Sequence, residues 1–338
     1  MVRDMDEIRM QALKIVDAII ANMEKAIVGK RRSIELVVLS LLGRGHVLLE
    51  DVPGVGKTSL VSALARSVDC SFNRIQFTPD IMPSDITGFS MFNRKTGEFE
   101  YRPGAVMCHF LLADEINRTS AKTQASLLEV MQENQVTVDG QTYAVPRPFM
   151  VIATQNPIEY LGTYPLPEAQ MDRFFMRISL GYPTKAQEQK MLAMHAAGTP
   201  IETLSPVANG RQLIELQKLV TQVHTDPAIF AYIVDLAEAT RQHPQIDLGL
   251  SPRGSIALHR ASQALAFCKG RDYILPDDVQ TVLEPVVAHR LVLKREAKIK
   301  GAAAESLLRE IVNSLPVPGM GQRPARPENG GAGEGMRP

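Results

Sequence analysis

The chain is poor in cysteine and carries no net charge, and each shortage excludes a class of protein. Its three cysteines, Cys70, Cys108 and Cys268, stand far apart without a CxxC pair. Neither a disulfide framework nor a cysteine metal site is expected, and the thiols read as buried groups of a reducing compartment. The 37 basic and 37 acidic residues cancel, and the sequence pI is about 7.1. That balance argues against nucleic acid or an anionic membrane surface as the main partner. Long apolar runs are missing too: the longest, near Ile34–Leu42, is too short to span a bilayer. The opening M-V-R-D-M-D-E lacks the basic-then-apolar order of a secretory signal. A cytoplasmic location is therefore expected. No segment repeats at a fixed period. With 338 residues, the chain has room for about two domains and a well-filled core.

What the chain does have is a phosphate-binding signature. Residues Glu50–Thr58 read E-D-V-P-G-V-G-K-T, after the apolar run His46–Glu50 and before the helical pattern of Ser59–Val68. Strand, glycine turn, Lys-Thr and helix is the context such a loop needs. Gly54 and Gly56 let backbone N–H groups close around phosphate oxygens, and Lys57 would neutralise the β- and γ-phosphates. The Thr58 hydroxyl would ligate Mg2+ at the positive end of the helix. The expected nucleotide contacts are thus Pro53, Gly54, Val55, Gly56, Lys57, Thr58 and Ser59. One departure stands out: the strict GxxxxGK(S/T) pattern wants glycine at 51, where this chain has Asp51.

A second run, His109–Arg118 (H-F-L-L-A-D-E-I-N-R), is an apolar strand ending in two acids. Asp114 fits the acid that holds Mg2+ through water, and Glu115 the one that polarises the attacking water. Together with Lys57 they point to ATP hydrolysis. Phe149–Asn156 is another buried strand, and Asn156 at its tip is a candidate to position water or sense the γ-phosphate; a simple polar cap before Pro157 is the alternative. Arg253, in G-L-S-P-R-G, falls in the first turn of a helix, where a lid closing over ATP could present it; a surface arginine is the alternative. Arg173, in Q-M-D-R-F-F, is placed to reach a neighbouring subunit as an arginine finger. An ion pair with Asp172 or Glu168 competes with that reading, and Arg118 and Arg177 are rival fingers. Gln76, ending the second strand, could relay the γ-phosphate state.

Strands at His46–Glu50, Phe72–Phe77, His109–Asp114, Phe149–Thr154 and Phe174–Leu180 alternate with helices, which predicts a parallel sheet wrapped by helices. Hairpins are expected around Phe89–Arg102 and at Gln135–Val145, where Asp139-Gly140 is a strong turn signal. Beyond Pro183 the pattern is helical to about Asn313, with helix starts at Asp226-Pro227 and Ser251-Pro252. The expected division is an α/β nucleotide-binding domain over 1–183, a helical domain over 184–315 and a disordered Pro/Gly-rich tail over 316–338.

Four separated motifs agree on a family. V-L-L-E-D-V-P-G-V-G-K-T, L-A-D-E-I-N-R-T-S-A-K-T-Q-A-S-L-L-E-V-M-Q-E, I-A-T-Q-N-P-I-E and G-L-S-P-R together resemble the MoxR branch of the AAA+ ATPases, from about Asn22 to Leu315. The resemblance implies an AAA+ P-loop fold with sheet order 5-1-4-3-2, a helical lid, and the two hairpins as inserts. It further implies hexameric rings with ATP and Mg2+ at subunit interfaces. Lys57 and Thr58 would be Walker A, Asp114 and Glu115 Walker B, Asn156 sensor 1, Arg173 the finger and Arg253 sensor 2. Ile27, Val28 and Gly29 match the segment near the adenine. Family members are regarded as chaperones that mature protein complexes, often with a von Willebrand factor A-domain partner, so an unidentified protein client is expected and nucleic acid is not. A nucleic-acid motor and a metal-chelatase motor subunit share the fold. The first is disfavoured by the hairpin tip at Asp139, where a strand-tracking hairpin should be basic.

Overall fold

Alternation along the central strands divides the interior in two. Successive side chains point to opposite faces of a sheet. Val47, Leu49, Leu112 and Ile152 join the core on one face, and Leu48, Leu111, Val151 and Ala153 the core on the other. A strand buried on both faces reads as an unbroken apolar run, which is why the sequence shows these strands without alternating polarity. The computed structural model describes residues 2–52, 54–156, 163–196, 198 and 201–319.

In chain order the first nine strands are β1 (Val47–Glu50), β2 (Phe72–Gln76), β3 (Gly88–Asn93), β4 (Glu98–Pro103), β5 (Phe110–Asp114), β6 (Gln135–Val138), β7 (Gln141–Ala144), β8 (Met150–Gln155) and β9 (Met176–Ile178). Five of them form one parallel sheet in the order β2-β5-β8-β1-β9. Counted among themselves these five run 5-1-4-3-2, the expected order. The parallel arrangement places all the chain exits from β1, β5 and β8 along one edge.

The other four strands make the two hairpins, β3–β4 and β6–β7. Asp139 and Gly140 both take positive φ (50° and 78°), the conformation a two-residue Asp-Gly turn requires. Tyr101 on β4 stacks on Tyr143 of β7 at 4.0 Å between ring centroids, so the inserts brace each other.

The last core strand is shorter than the expected Phe174–Leu180, because its flanking backbone is used elsewhere. The carbonyls of Phe174 and Phe175 accept from His289 and Arg290, while the amides of Leu180 and Gly181 donate to Asp51. From Lys185 the described residues form helices and their connections, with an isolated bridge between His224 and Tyr273 and one small strand pair, β10 (Ile246–Leu248) with β11 (Val292–Leu293). That pair corrects the expectation of an all-helical second half; strands of three and two residues carry no readable period. The helix starts are as expected: Asp226 Oδ1 accepts from Ala228 N at 2.8 Å, and Ser251 Oγ from Gly254 N at 3.0 Å, each with proline next.

The seat of the helical half departs from the sequence reading. Gln217 Nε2 donates to the Leu41 carbonyl at 2.7 Å, and Arg260 donates to the carbonyls of Gly43 and Arg44. Arg290 is buried and pairs with Asp172 at 2.8 Å. These partners precede β1 and β9, so the helices grip the N-terminal edge of the sheet, opposite the edge where the glycine loop leaves β1.

Candidate functional site

Between β1 and the helix Lys57–Ser67 the chain turns through Gly54 (φ 83°) and Gly56 (φ 92°). A Cβ on either would meet nothing within 4 Å. Glycine is therefore required by backbone conformation, and the space above the loop is open. That space faces the first turn of the helix, where unpaired N–H groups and the helix dipole favour an anion. Lys57 Nζ donates to the Asp51 carbonyl at 2.9 Å and, among the described residues, has no carboxylate partner. Its charge is thus unneutralised beside an open anion cradle, and the residues fit a triphosphate. Thr58 and Ser59 occupy the same turn, and Val55 packs on the core. Pro53 lies outside the described residues. Ile27 and Val28 are buried, and the Gly29 carbonyl accepts from Gln187 Nε2 at 3.3 Å.

The two acids stand at the tip of β5, two strands away across β8. Thr154 on β8 ties them together: its hydroxyl donates to Asp114 Oδ1 at 2.6 Å and accepts the Glu115 N–H at 2.9 Å. Glu115 is held in the left-handed region (φ 58°, ψ 50°), a strained place for a residue with a side chain. Its Oε2 accepts from Gln76 Nε2 at 2.7 Å and lies 3.2 Å from Arg118 Nε. Arg74 completes the set, donating to Asp114 Oδ2 at 2.7 Å and to Gln76 Oε1 at 3.1 Å. A hard carboxylate at Asp114 and the Thr58 hydroxyl are oxygen donors of the kind Mg2+ takes. Asn156 follows β8 directly and is buried, while the neighbouring Gln155 Nε2 donates to Glu50 Oε1 at 2.7 Å. Lys57, Asp114, Glu115 and Asn156 thus come to one edge. The sequence reading did not single out Arg74, because an arginine on an edge strand carries no pattern of its own.

Arg173 and Arg253 are elsewhere. Both line a cavity of 710 Å³ at the N-terminal edge, together with His46, Phe149 and Phe175, which immediately precede β1, β8 and β9. Arg44, Arg147, Lys218 and Arg260 line it as well, so it is strongly basic; Asp172, its one acid, is already paired with Arg290. Arg173 donates to the Leu128 carbonyl at 2.9 Å and makes no salt bridge among the described residues; Arg253 donates to Gln132 Oε1 at 3.3 Å. β8 alone, six residues long, separates the two edges by roughly 20 Å at its rise per residue. The expectation of Arg253 as part of a lid over its own subunit's ATP is therefore corrected. Of the rival fingers, Arg118 contacts Glu115, and Arg177 is bound within the chain to Glu50 (2.9 Å) and Glu305 (2.7 Å).

The cysteines take no part. Burial pushes the Cys70 thiol up to about 11 and those of Cys108 and Cys268 up to about 12, away from thiolate chemistry.

Comparison with known proteins agrees with this geometry. Residues 46–176 match the family model described as ATPase family associated with various cellular activities (AAA), and residues 238–311 match the AAA lid domain. The uncharacterized YeaC protein of Bacillus subtilis is 53% identical over 88% of this chain and 93% of its own length. Chaperone MoxR1 of Mycobacterium tuberculosis is 41% identical, covering 88% of this chain and 81% of its own. Protein MoxR of Methylorubrum extorquens is 31% identical, with 88% and 93% covered. A crystal structure of a candidate ATPase from Cytophaga hutchinsonii superposes with a TM-score of 0.88 at 36% identity, over 94% of this chain and 98% of that one.

Proposed function

The chain belongs to the MoxR family of AAA+ ATPases, and we propose that it works as a ring whose subunits hydrolyse ATP to remodel or activate protein complexes. The observation that supports hydrolysis best is the gathering of Lys57, Asp114, Glu115 and Asn156 at one edge of the sheet, with Thr154 bonded to both acids.

In this reading the amides of Gly54 to Ser59 and the Lys57 ammonium hold the triphosphate, and Thr58 and Asp114 hold Mg2+. Bound Mg2+ supplies a positive charge against the phosphate oxygens. Glu115 accepts the proton of the attacking water, while Gln76 and Arg118 hold its Oε2. Asn156 offers an amide to orient the water. Arg173 and Arg253, sharing the basic cavity at the far edge, act on the nucleotide of the adjacent subunit; a planar guanidinium there meets the charge that develops on the phosphoryl oxygens. This is why a ring, expected to be a hexamer, is part of the proposal.

The client side rests on the inserts. Phe89, Phe92 and Phe99 are exposed on the β3–β4 hairpin, and the second hairpin ends in an acidic tip. Exposed aromatics suit a protein partner, such as a von Willebrand factor A-domain protein, and the acidic Asp139 tip of the second hairpin gives nucleic acid little to hold, although the turn of the first hairpin carries Arg94 and Lys95.

Two substitutions test the chemistry. Lys57→Ala should abolish tight ATP binding, whereas Glu115→Gln should bind ATP and turn it over on the order of a hundredfold more slowly. Unchanged turnover in Glu115→Gln would remove it as the base. The same trapped protein, recovered from its own cells, should carry the client. Marked stimulation of the wild-type ATPase by single-stranded or duplex DNA at physiological salt would replace the protein remodeller with a nucleic-acid motor.

A further inference from the structure

The carboxylate of Asp51 is buried, and its hydrogen bonds come from one short segment just beyond β9. Ser179 Oγ donates to Oδ1 at 2.9 Å, Gly181 N to Oδ1 at 3.0 Å, and Leu180 N to Oδ2. The Asp51 backbone meanwhile belongs to the glycine loop. Its carbonyl accepts from Lys57 Nζ at 2.9 Å, and its N–H donates to Gln155 O at 3.4 Å, one residue before Asn156. Asp51 is not among the residues with positive φ, so its backbone does not call for the glycine of the strict pattern. The side chain is there as a tether.

The tethered segment is held from the other side as well. Lys30 Nζ donates to the carbonyls of Gly181 (3.0 Å) and Tyr182 (3.1 Å), and Gln187 reaches the Gly29 carbonyl. Residues 179–187 are therefore clamped between the glycine loop and the segment expected near the adenine. They lead into Lys185–Ala196, a helix with no buried residue, and from there to the helices that carry Arg253.

We propose that Asp51 is a positioning residue that couples occupancy of the glycine loop to the 179–187 linker, and through it to the placement of the helical half. The proposal rests on that loop being an ATP site. Phosphate draws Lys57 away from the Asp51 carbonyl, and any resulting shift of the Asp51 backbone carries the carboxylate and its three donors with it. Glycine at 51 would leave Lys57, Gly54, Gly56 and Thr58 in place but cut the tether and strand the buried Leu180 amide and the half-buried Gly181 amide. Binding and turnover should then separate.

The test uses the full-length protein, a fluorescent ATP analogue for affinity, steady-state ATPase, and hydrogen exchange over 179–187 with and without a slowly hydrolysed ATP analogue. In the wild type the analogue should change exchange over 179–187 by about threefold or more. Asp51→Gly should keep nucleotide affinity within about threefold, lower kcat by about tenfold and lose the nucleotide dependence of exchange. Asp51→Asn, which keeps one acceptor oxygen, should fall between. If Asp51→Gly does not fold, Asp51→Asn and Gln187→Ala carry the same comparison, both with weakened nucleotide dependence over 179–187. Exchange in the wild type that ignores the analogue, or an Asp51→Gly protein with wild-type kcat and exchange response, would overturn the coupling. So would affinity and kcat falling together, which marks damage to the loop alone. A wild type that binds no ATP analogue defeats the ATP reading itself, and is seen in the binding arm before any variant is made.

Discussion

Two proteins that are each inactive should become active when mixed. Arg173 lies in the cavity at the N-terminal edge, while Lys57 begins the helix beyond the C-terminal end of β1. β1 alone spans roughly 13 Å between them at its rise per residue, and Arg173 is turned toward the Leu128 carbonyl. It therefore stands away from its own chain's glycine loop, and in the proposed ring it serves a neighbour. Arg173→Ala should retain ATP binding and lose about a thousandfold or more in turnover, as loss of a finger does. Lys57→Ala should fail to bind. In an equimolar mixture with random order, a head-to-tail ring pairs an intact pocket with an intact arginine at roughly a quarter of its interfaces, whatever its size. ATPase activity should return to roughly that fraction of wild type if interfaces work independently. The corrected place of Arg253 gives the same outcome for Arg253→Ala mixed with Lys57→Ala; an arginine acting in its own pocket would give none. The assay is phosphate release from rings assembled after mixing, with native mass spectrometry to establish that they are heteromeric. Heteromeric rings with no gain over either parent would refute action across the interface.

Three further outcomes follow from particular contacts. His46 is buried, with Nδ1 accepting from Val151 N (2.9 Å) and Nε2 facing the Met131 carbonyl (2.8 Å), and desolvation lowers its pKa to about 4. The unfolded chain takes up that proton first as pH falls through about 6.5, so stability should decline from there to about pH 4, by about 3 kcal/mol at most from this group. His289, also lowered by burial, acts with the same sign; a Tm that stays flat from pH 7 to 4.5 would contradict this. Arg74→Ala removes a half-exposed cation from Asp114 (2.7 Å) and should lower the Mg2+ concentration for half-maximal turnover by about two- to fivefold, the scale of an exposed ion pair; a raised requirement would show that Arg74 holds Asp114 ready instead. Phe92→Ser, on an exposed edge-to-face pair with Phe99 (5.3 Å), should leave basal ATPase unchanged and remove stimulation by a protein partner, measured as turnover with and without it.

The nucleotide edge was legible in the sequence because local pattern specifies it. Gly54 and Gly56 are fixed by their own backbone angles, and the acids end an apolar run whose burial on both faces makes a strand unmistakable. The Asp139-Gly140 turn and the Asp226 and Ser251 caps are equally local. What the sequence hides is where the second half docks. Periodicity says that Leu213, Leu216 and Val220 are buried, but not against what. The direction is set by polar contacts between residues over a hundred positions apart: Gln217 to the Leu41 carbonyl, Arg260 to those of Gly43 and Arg44, and Arg290 to Asp172.

The Asp172-Arg173 pair shows how this docking bears on a functional question. From sequence alone, Asp172 is a ready ion-pair partner for Arg173, and that pairing competes with the finger. In the fold the carboxylate is taken: Arg290 donates to Oδ1 at 2.8 Å and Ser251 Oγ to Oδ2 at 2.8 Å. A buried guanidinium needs that charge far more than a half-exposed one does, because leaving it unpaired costs several kcal/mol. Docking of the helical half therefore uses up Asp172, and among the described residues Arg173 is left facing the basic cavity with one carbonyl contact. Substituting Arg290 would return Asp172 to Arg173 as well as loosen the helical half. Arg290→Met should accordingly lose both stability and inter-subunit rescue. Arg173→Ala, which leaves the buried pair intact, should lose turnover with a Tm close to wild type.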